Sequence, residues 1–411
     1  MPMKPFKSLS YVPAVFLFLL VIVATGCGGG GSSSSGSNNP PQGTSVTVTP
    51  SSSAVVVGKT QQFQAAVSNA SNNSVTWQVN GVAGGNATTG TIDANGMYTA
   101  PANVPTASSP ATATVTIKAV SKADSSQSGS ATVTVQLPQS QHVFLLLEEN
   151  HSFASVATQP SPMPFLLGLA QGHGMAMNYF ADTHPSIGNY FMLTTGQIVT
   201  NDDFFTQTVD VDNLVRELLA AGKTWKSYAE NLPVVGYVGP DAPPYLAHHN
   251  PFTFFSDVRN SPTQLLNLVP FTQFSTDLTN NQLPDFSFLL PNAAHDAHDC
   301  PGAIPNCTDA QKLQAADTWL QTNLNALLSS SLFQAGGDGV LIVVFDESDS
   351  ADTVNGGGHV FMTVISPLAK APFASQTVYK HESLLRMLVE LTGAKAYPGA
   401  SATAPDMGEF F

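Results

Sequence analysis

The segment FADTHPSIGNYFMLTTG, residues 180–196, places a serine where an apolar helical pattern begins. A serine hydroxyl is a poor nucleophile until a base or a metal ion removes its proton, and a helix N-terminus favours an incoming phosphate. Ser186 could therefore attack a phosphoester, with Asn189 donating to the phosphate oxygens and His184 orienting the loop. Because Ser, Pro and Asn are also good turn and cap residues, ordinary loop chemistry remains an alternative.

Further polar side chains stand where long apolar runs end. In open α/β sheets, ligands bind outside the carboxyl ends of the strands, so a parallel sheet would bring these groups to one edge. The candidates are Glu149 and Asn150 after residues 143–147, Asp346 and Glu347 after 340–345, His295, His298 and Asp299 after 286–290, and His359 just before another apolar run.

These carboxylates predict a divalent cation, because adjacent acids repel one another and their burial is costly unless a cation neutralises them. Carboxylate and amide oxygens suit Ca²⁺ or Mg²⁺, and imidazoles extend the range to Zn²⁺ or Mn²⁺, as one or two ions. Acids at strand ends also cap helices, and His359 could be a solvated turn histidine. The stretch HDAHD, residues 295–299, is more specific, although an acidic surface loop is its alternative.

Alternating strand and helix patterns beyond residue 141 predict how these groups are positioned. Continuous apolar runs of strand length indicate strands buried on both faces, and strands alternating with helices predict an α/β domain with a largely parallel sheet. The predicted strands are 143–147, 286–290, 340–345 and 359–367, and the predicted helices are 211–222, 310–330 and 381–392, the last followed by Gly393.

The first residues have the features of an export signal. Lys4 and Lys7 precede an apolar run that ends in Ala-Thr-Gly before Cys27, and this order describes a signal peptide over residues 1–26. It resembles the bacterial lipoprotein cleavage box, which implies lipidation of Cys27; a plain secretory signal or an uncleaved anchor is the alternative. We expect an exported bacterial protein held in the cell envelope by this lipid.

A tract rich in Gly, Ser, Asn and Pro, residues 27–44, predicts a flexible linker. Short runs rich in Val and Thr follow over residues 45–137, and their turn signals predict an all-β sandwich. This part resembles bacterial immunoglobulin-like domains, particularly in VTWQVNG and GTIDANGMYTAP, with Trp77 in the core. Such domains serve as spacers or adhesive modules, so residues 138–411 are left as the catalytic domain.

The composition limits the kinds of partner that the protein can bind. Among 411 residues, 14 Lys and Arg stand against 28 Asp and Glu, for a formal net charge of -14, which argues against a nucleic-acid surface. Cys300 and Cys307 are the two cysteines besides Cys27, and a close pair in an oxidising compartment predicts a disulfide. A thiolate metal site is less consistent with the sequence, because it lacks further cysteines.

The ordered motifs of residues 142–411 resemble the phosphoesterase family of bacterial phospholipases C and acid phosphatases, within the alkaline phosphatase superfamily. The resemblance implies a three-layer α/β/α fold. The matching segments are FLLLEENHSF, THPSIGNYFMLTTG, GKTWKSYAENLP, PDFSFLLPNAAHDAHD, LIVVFDESD, GGGHVFMTVISP and YKHESLLRMLVELTG.

The resemblance also implies roles for individual residues. It implies that Glu149, Asn150, Ser186, Asp346 and Glu347 bind metal. It further implies that Ser186 is the nucleophile and that His295, His298, Asp299 and His359 belong to segments that contact phosphate or, elsewhere in the superfamily, hold a second metal. We therefore expect His298 and His359 to act in catalysis, and His184, Asn189, His295 and Asp299 to bind the substrate. The family more often has arginine at the position of His151, and the stretch after Glu347 is looser than in many relatives, which leaves the substrate and the metal count open.

We therefore expect a lipid-anchored, metal-dependent phosphoric-ester hydrolase that acts through a phosphoserine, with acid phosphatase activity on a small phosphoester. The absence of a long C-terminal extension favours a phosphatase over the alternative, a phospholipase C that cleaves phospholipid headgroups. For that alternative, Tyr245, Phe252, Phe254 and Phe255 could line an apolar lip, or they could be core residues. A third alternative is an inactive surface protein for binding or adhesion.

Overall fold

A computed structural model describes residues 43–107, 109–302 and 304–411. The signal peptide, Cys27 and all but the last two residues of the 27–44 linker lie outside the described residues. From Thr44 to Phe411 the chain forms one compact unit. Within the described ranges, no helix combines the length and the apolar character needed to cross a membrane.

The strand-rich region predicted over residues 45–137 consists of short strands, most of them antiparallel. One sheet has the order β2-β11-β10-β5-β6, a second has the order β3-β9-β8-β7, and β1 pairs with β4. Val and Thr alternate over parts of the longest strands, so Val115, Val133 and Val135 are buried while the threonines face outward. The strands are β1 (Ser45–Thr49), β2 (Ser52–Val56), β3 (Thr60–Gln62), β4 (Gln64–Ser68), β5 (Val75–Val79), β6 (Val82–Ala83), β7 (Gly85–Asn86), β8 (Gly90–Ile92), β9 (Met97–Thr99), β10 (Thr114–Ser121) and β11 (Ser128–Gln136).

The remaining strands form one eight-stranded sheet with the order β15-β14-β16-β12-β17-β18-β13-β19. Its central strands are buried at every residue, as expected for strands covered on both faces. The strands are β12 (Val143–Glu148), β13 (Gly174–Phe180), β14 (Trp225–Ala229), β15 (Leu268–Pro270), β16 (Phe286–Leu290), β17 (Val340–Phe345), β18 (Met362–Ile365) and β19 (Phe373–Lys380).

Nine helices are assigned in the described part of the chain, and they pack in groups beside this sheet. Helix α2 contacts α8, whereas α3 and α4 contact α9, which gives the three-layer α/β/α arrangement. The helices are α1 (Phe153–Ala157), α2 (Pro164–Gly172), α3 (Ser186–Thr195), α4 (Leu214–Ala220), α5 (Ser256–Arg259), α6 (Pro262–Leu265), α7 (Thr272–Thr279), α8 (Asp309–Leu328) and α9 (His381–Thr392).

The sheet is largely parallel, as predicted, with one exception. Strand β18 runs antiparallel to both of its neighbours, β17 and β13. Met362 at the start of β18 pairs with Val344 near the end of β17. The loop that enters β18 therefore lies at the same edge as the carboxyl ends of the parallel strands, and this edge carries the polar residues singled out from the sequence.

Candidate active site

Ser186 is the first residue of α3, directly after Pro185. Its hydroxyl is almost fully buried and donates a hydrogen bond of 2.9 Å to Oε2 of Glu149. The helix passes very close to a neighbouring loop, because a Cβ on Gly188 would lie 2.2 Å from Oδ1 of Asn201. The segment singled out first from the sequence thus places a hydroxyl against a carboxylate at a helix N-terminus.

Four buried carboxylates lie together here, those of Glu149, Asp296, Asp346 and Glu347. The Glu149 carboxylate, which accepts the Ser186 hydrogen bond, interacts electrostatically with the other three. Backbone hydrogen bonds hold the loops that carry them, since the N–H of Glu149 donates to the carbonyl of Asp296 at 2.7 Å. Oδ1 of Asp346 accepts the backbone N–H groups of Asn150 at 3.2 Å and of Glu347 at 2.6 Å. The carboxyl ends of β12, β16 and β17 therefore meet, as the sequence predicts.

Burial and mutual repulsion raise the pKa values of these acids. Burial, and then the charges of Asp346 and Asp296, hold the pKa of Glu149 well above its usual value. Burial raises the pKa of Asp346 to about 6, and burial with the charge of Asp346 raises that of Glu347 to about 10. Among the described residues, the basic side chains within 4.0 Å of these carboxylates are those of His184 and His249 rather than of any Lys or Arg. Such a cluster is stabilised by a cation.

His249 completes a set of metal-ligand atoms that the sequence analysis missed. Its Nδ1 lies 3.3 Å from Oε1 of Glu149 and 3.4 Å from Oδ2 of Asp296. The three potential ligand atoms all lie within 4.8 Å of one another. In the described part of the chain, Oδ2 of Asp296, Oδ2 of Asp346 and Nε2 of His249 are buried without a hydrogen-bond partner. This donor set fits a divalent ion.

The same histidine is held in a neutral, ligand-competent form. Burial, and then the charges of His248 and His298, lower the pKa of His249 well below its usual value. Tyr190 stacks on the His249 ring with centroids 5.2 Å apart, and its hydroxyl donates to Oε1 of Glu149 at 2.5 Å. Tyr190 therefore orients two potential metal ligands, as residues behind metal ligands commonly do.

His184 and Asn189 lie on the nucleophile segment, beside the cluster. Nδ1 of His184 lies 3.1 Å from Oε2 of Glu347, and Nδ2 of Asn189 donates to the same oxygen at 3.3 Å. Oδ1 of Asn189 accepts the N–H groups of Asp182 and Thr183, so Asn189 also fixes the turn before α3. The backbone N–H of Asn150 donates to Asp346 of the cluster, and Asn150 also lines a polar cleft of about 320 Å³.

The HDAHD stretch divides between the site and the surface. Asp296 is fully buried in the cluster, although nothing in the residue pattern distinguished it from its neighbours. His298 lines the polar cleft, and its ring lies 5.7 Å from that of His249 and pairs with Asp299. His295 instead pairs with Glu230 at 2.9 Å, at a separate part of the surface. The stretch therefore brings Asp296 and His298 to the site.

His359 stands at the expected edge of the sheet, but its ring is used in packing. It is stacked between Phe153 and Phe180, with centroid distances of 4.7 and 4.9 Å. Its Nε2 lies 3.0 Å from the carbonyl oxygen of Met177. No contact among the described residues joins His359 to the carboxylates.

Two other predictions concern the surroundings of the site. Cys300 and Cys307 form a disulfide with an S–S distance of 2.11 Å, which confirms the predicted pairing and closes the loop after Asp299. Tyr245, Phe252 and Phe255 are buried core residues rather than an apolar lip. Phe254 is also buried, yet it forms part of the wall of a second cleft.

Comparison with known proteins concerns most of the α/β part of the chain. A family model described as Phosphoesterase family matches residues 157–393. The phosphatidylinositol-3-phosphatase of Mycobacterium tuberculosis is 35% identical over 231 residues, which cover 54% of this chain and 71% of that relative.

Fungal proteins match over a similar stretch. A probable acid phosphatase of Kluyveromyces lactis is 29% identical over 251 residues, covering 59% of this chain and 56% of that relative. A phosphate-repressible acid phosphatase of Penicillium chrysogenum is 28% identical over 250 residues, covering 58% and 56%. The chain thus spans little more than half the length of these two relatives.

Solved structures of low sequence identity also match. One is described as a protein in the alkaline phosphatase superfamily from Vibrio parahaemolyticus, with a TM-score of 0.44, 17% identity and coverage of 65% of this chain and 70% of that chain. Another is the lipoteichoic acid synthase LtaP from Listeria monocytogenes, with a TM-score of 0.45, 12% identity and coverage of 64% and 76%.

Proposed function

Because the chain belongs to the Phosphoesterase family and is a phosphoric-ester hydrolase, we propose that it is a metal-dependent acid phosphatase with Ser186 as its nucleophile. The observation that carries the proposal is the Ser186 hydroxyl at the N-terminus of α3, 2.9 Å from Glu149, which belongs to a cluster of four buried carboxylates. A packing serine has no need of such neighbours, whereas phosphoryl transfer needs an activated hydroxyl and a site for charge.

In the proposed reaction, Oγ of Ser186 attacks phosphorus and loses its proton, and the alcohol leaves with a proton. The phosphoserine is then attacked by water, which releases inorganic phosphate and restores the hydroxyl. The N-terminus of α3 favours the negative phosphoryl group during both steps. Nδ2 of Asn189 and the ring of His184 both contact Glu347. Because both residues lie on the same segment as Ser186, they can orient phosphate oxygens there.

Glu149, Asp296, His249, Asp346 and Glu347 would hold the divalent ion. When bound, the ion supplies positive charge that lowers the pKa of the serine hydroxyl and offsets the charge of the phosphoryl group. An imidazole nitrogen among the donors favours Zn²⁺ or Mn²⁺ over Ca²⁺. The relatives named as phosphatases favour a monoester over a phospholipid diester, and the first 44 residues favour export and lipid anchoring at Cys27.

Steady-state hydrolysis tests the proposal. The purified chain is assayed with p-nitrophenyl phosphate and with p-nitrophenylphosphorylcholine, after chelation and after addition of Zn²⁺, Mn²⁺, Mg²⁺ or Ca²⁺. We expect monoester turnover that chelator abolishes, metal restores and Ser186→Ala removes without a change in melting temperature. Turnover of the diester alone would identify a phospholipase C, and full activity of Ser186→Ala would exclude Ser186 as the nucleophile.

A further inference from the structure

We propose that a preformed apolar cleft beside Ser186 binds the alcohol part of the substrate and selects phosphomonoesters of uncharged, apolar alcohols. The cleft encloses about 430 Å³ between residues 203–206 and residues 238–248. This inference rests on the proposed phosphatase function, because it assigns the substrate class of the same site.

Two lining residues of the cleft contact residues of the candidate active site. Oδ1 of Asp203 accepts the backbone N–H of Ile187, the residue after the nucleophile, at 3.3 Å. The ring of His248 lies 4.5 Å from that of the potential metal ligand His249. A phosphoryl group at Ser186 therefore has the cleft as its neighbour, so the group attached to its ester oxygen can extend into it.

Hydrogen bonds within the protein hold the walls of the cleft in place without a ligand. The guanidinium of Arg259 donates to the backbone carbonyls of Thr206 at 3.2 Å, Val238 at 3.3 Å and Thr253 at 2.5 Å, and so ties three wall segments together. Oδ1 of Asp241 accepts the N–H of Ala247 at 2.6 Å, and its carboxylate pairs with Nδ1 of His248 at 3.0 Å. A preformed cleft of this kind binds without a large ordering cost.

Apolar groups dominate the lining, which determines the kind of ligand that fits. Phe204 is 89% exposed and adjoins the other apolar lining residues, and a contiguous apolar patch that reaches water commonly marks a binding surface. The volume is within the range of small-molecule sites and suits a ring system or a short chain. The other apolar lining residues are Phe205, Val238, Pro240, Ala247 and Phe254.

The charges of the lining disfavour anionic alcohols. Asp203 and Asp241 carry two negative charges, and the only Lys or Arg among the lining residues is Arg259, whose side chain is committed to backbone carbonyls and to the face of Phe254. A second phosphate on the leaving group would meet carboxylates without a free cation. The cleft thus favours aryl or alkyl alcohols and disfavours nucleotides and sugar bisphosphates.

Selectivity is measured as the ratio of kcat/KM for an apolar substrate to kcat/KM for ethyl phosphate. The apolar substrates are 2-naphthyl phosphate, for an aromatic alcohol, and octyl phosphate, for an alkyl chain. Phe204→Ala removes an exposed lining group and Thr206→Trp fills the mouth. We expect each variant to lower the ratio about tenfold, since each withdraws roughly 50 Å² of apolar contact at about 25 cal/mol per Å². Leu266→Ala, a control that removes another exposed apolar side chain, should keep the ratio.

Calorimetric binding of 2-naphthol provides a readout that does not require turnover. We expect saturable binding to the wild-type chain that Phe204→Ala and Thr206→Trp weaken and that Leu266→Ala preserves. Ratios and naphthol binding that are the same in all four proteins would overturn the cleft assignment, even with Ser186-dependent turnover intact. If no phosphomonoester is turned over, the proposed function fails, and the naphthol titration still decides whether the cleft binds apolar alcohols.

Discussion

Asp296→Asn should stabilise the folded protein when no metal is bound and destabilise it when metal is bound. The Asp296 carboxylate is fully buried, its Oδ2 lacks a hydrogen-bond partner among the described residues, and its Oδ1 accepts the backbone N–H of His298. An asparagine has almost the same shape, and its Oδ1 can keep that hydrogen bond. The substitution therefore replaces one of the four clustered carboxyl groups by a neutral amide with little change in packing.

Without metal, we expect Asp296→Asn to raise the free energy of unfolding by about 1–3 kcal/mol, because a buried carboxylate oxygen without a hydrogen-bond partner is replaced by an amide group that can donate to neighbouring oxygens. Burial raises the pKa of Asp296 well above its usual value, so the cost of its charge is absent below the unfolded pKa of about 3.9 and grows as the pH rises. The stabilisation by asparagine should therefore be larger at pH 8 than at pH 5.

With metal bound, Asp296→Asn should lower the free energy of unfolding instead of raising it. Metal at about 1,000 times its Kd stabilises the wild-type chain by about 4 kcal/mol, whereas a Kd raised about 100-fold leaves about 1.4 kcal/mol. Loss of a residue behind a metal ligand already costs about 10–100-fold in affinity, so loss of a direct ligand should cost at least as much. At about 2–4 °C per kcal/mol, the metal-induced rise in Tm should fall from about 8–16 °C to about 3–6 °C.

Thermal unfolding with and without added Zn²⁺ or Mn²⁺ measures both effects. Asp299→Asn is the matched control, because its side chain is 62% exposed and pairs with His298 outside the buried cluster. We expect the control to keep the wild-type metal shift. A wild-type chain whose Tm does not respond to any divalent ion, or an Asp296→Asn chain with the full shift, would refute the assignment of Asp296 as a metal ligand.

Three further changes test other parts of the structure. Tyr190→Phe removes the donor to Glu149 but keeps the ring on His249, so metal affinity measured by titration should fall about 10–100-fold while Tm without metal changes little. Asp277→Asn breaks the hydrogen bonds from Lys226 and Tyr228, which lower the pKa of Asp277. In urea unfolding at pH 7, the free energy of unfolding should fall by about 2 kcal/mol relative to the wild-type chain. This difference should vanish as the pH falls below the folded pKa of Asp277. Replacing Cys300 and Cys307 together by serine opens a loop with a sequence separation of 7 and should cost about 2–3 kcal/mol, and reductant should lower Tm of the wild-type chain alone.

The architecture was predictable because its signals are local. The apolar runs 286–290 and 340–345 coincide with β16 and β17, and the helix predicted over 310–330 is observed as Asp309–Leu328. Gly393 ends α9 with a φ of +74°, as expected for a glycine after a helix. The direction of β18 was not predictable, because a buried strand has the same apolar pattern whether it runs parallel or antiparallel to its neighbours.

The site was only partly predictable, because a sequence does not show where a loop side chain points. Ser186, Glu149, Asp346 and Glu347 are brought together because strand ends and a helix start fix their positions. His249 lies in a short 3-10 turn far from any strand end, and the pair His248–His249 carried no signal beyond its composition. His359 shows the opposite case. It lies at the predicted edge of the sheet, but its ring stacks on Phe153 and Phe180 instead of facing the carboxylates.

The most direct test of the catalytic assignment is to identify the residue that carries the phosphoryl group during turnover. The metal-loaded chain is mixed with p-nitrophenyl phosphate, quenched in acid within the first turnovers and mapped by mass spectrometry of its peptides. We predict one phosphoryl group, located on Ser186 and absent from Ser186→Ala. A phosphoryl group on a histidine such as His249 or His298, or rapid turnover with no phosphorylated peptide at all, would contradict it.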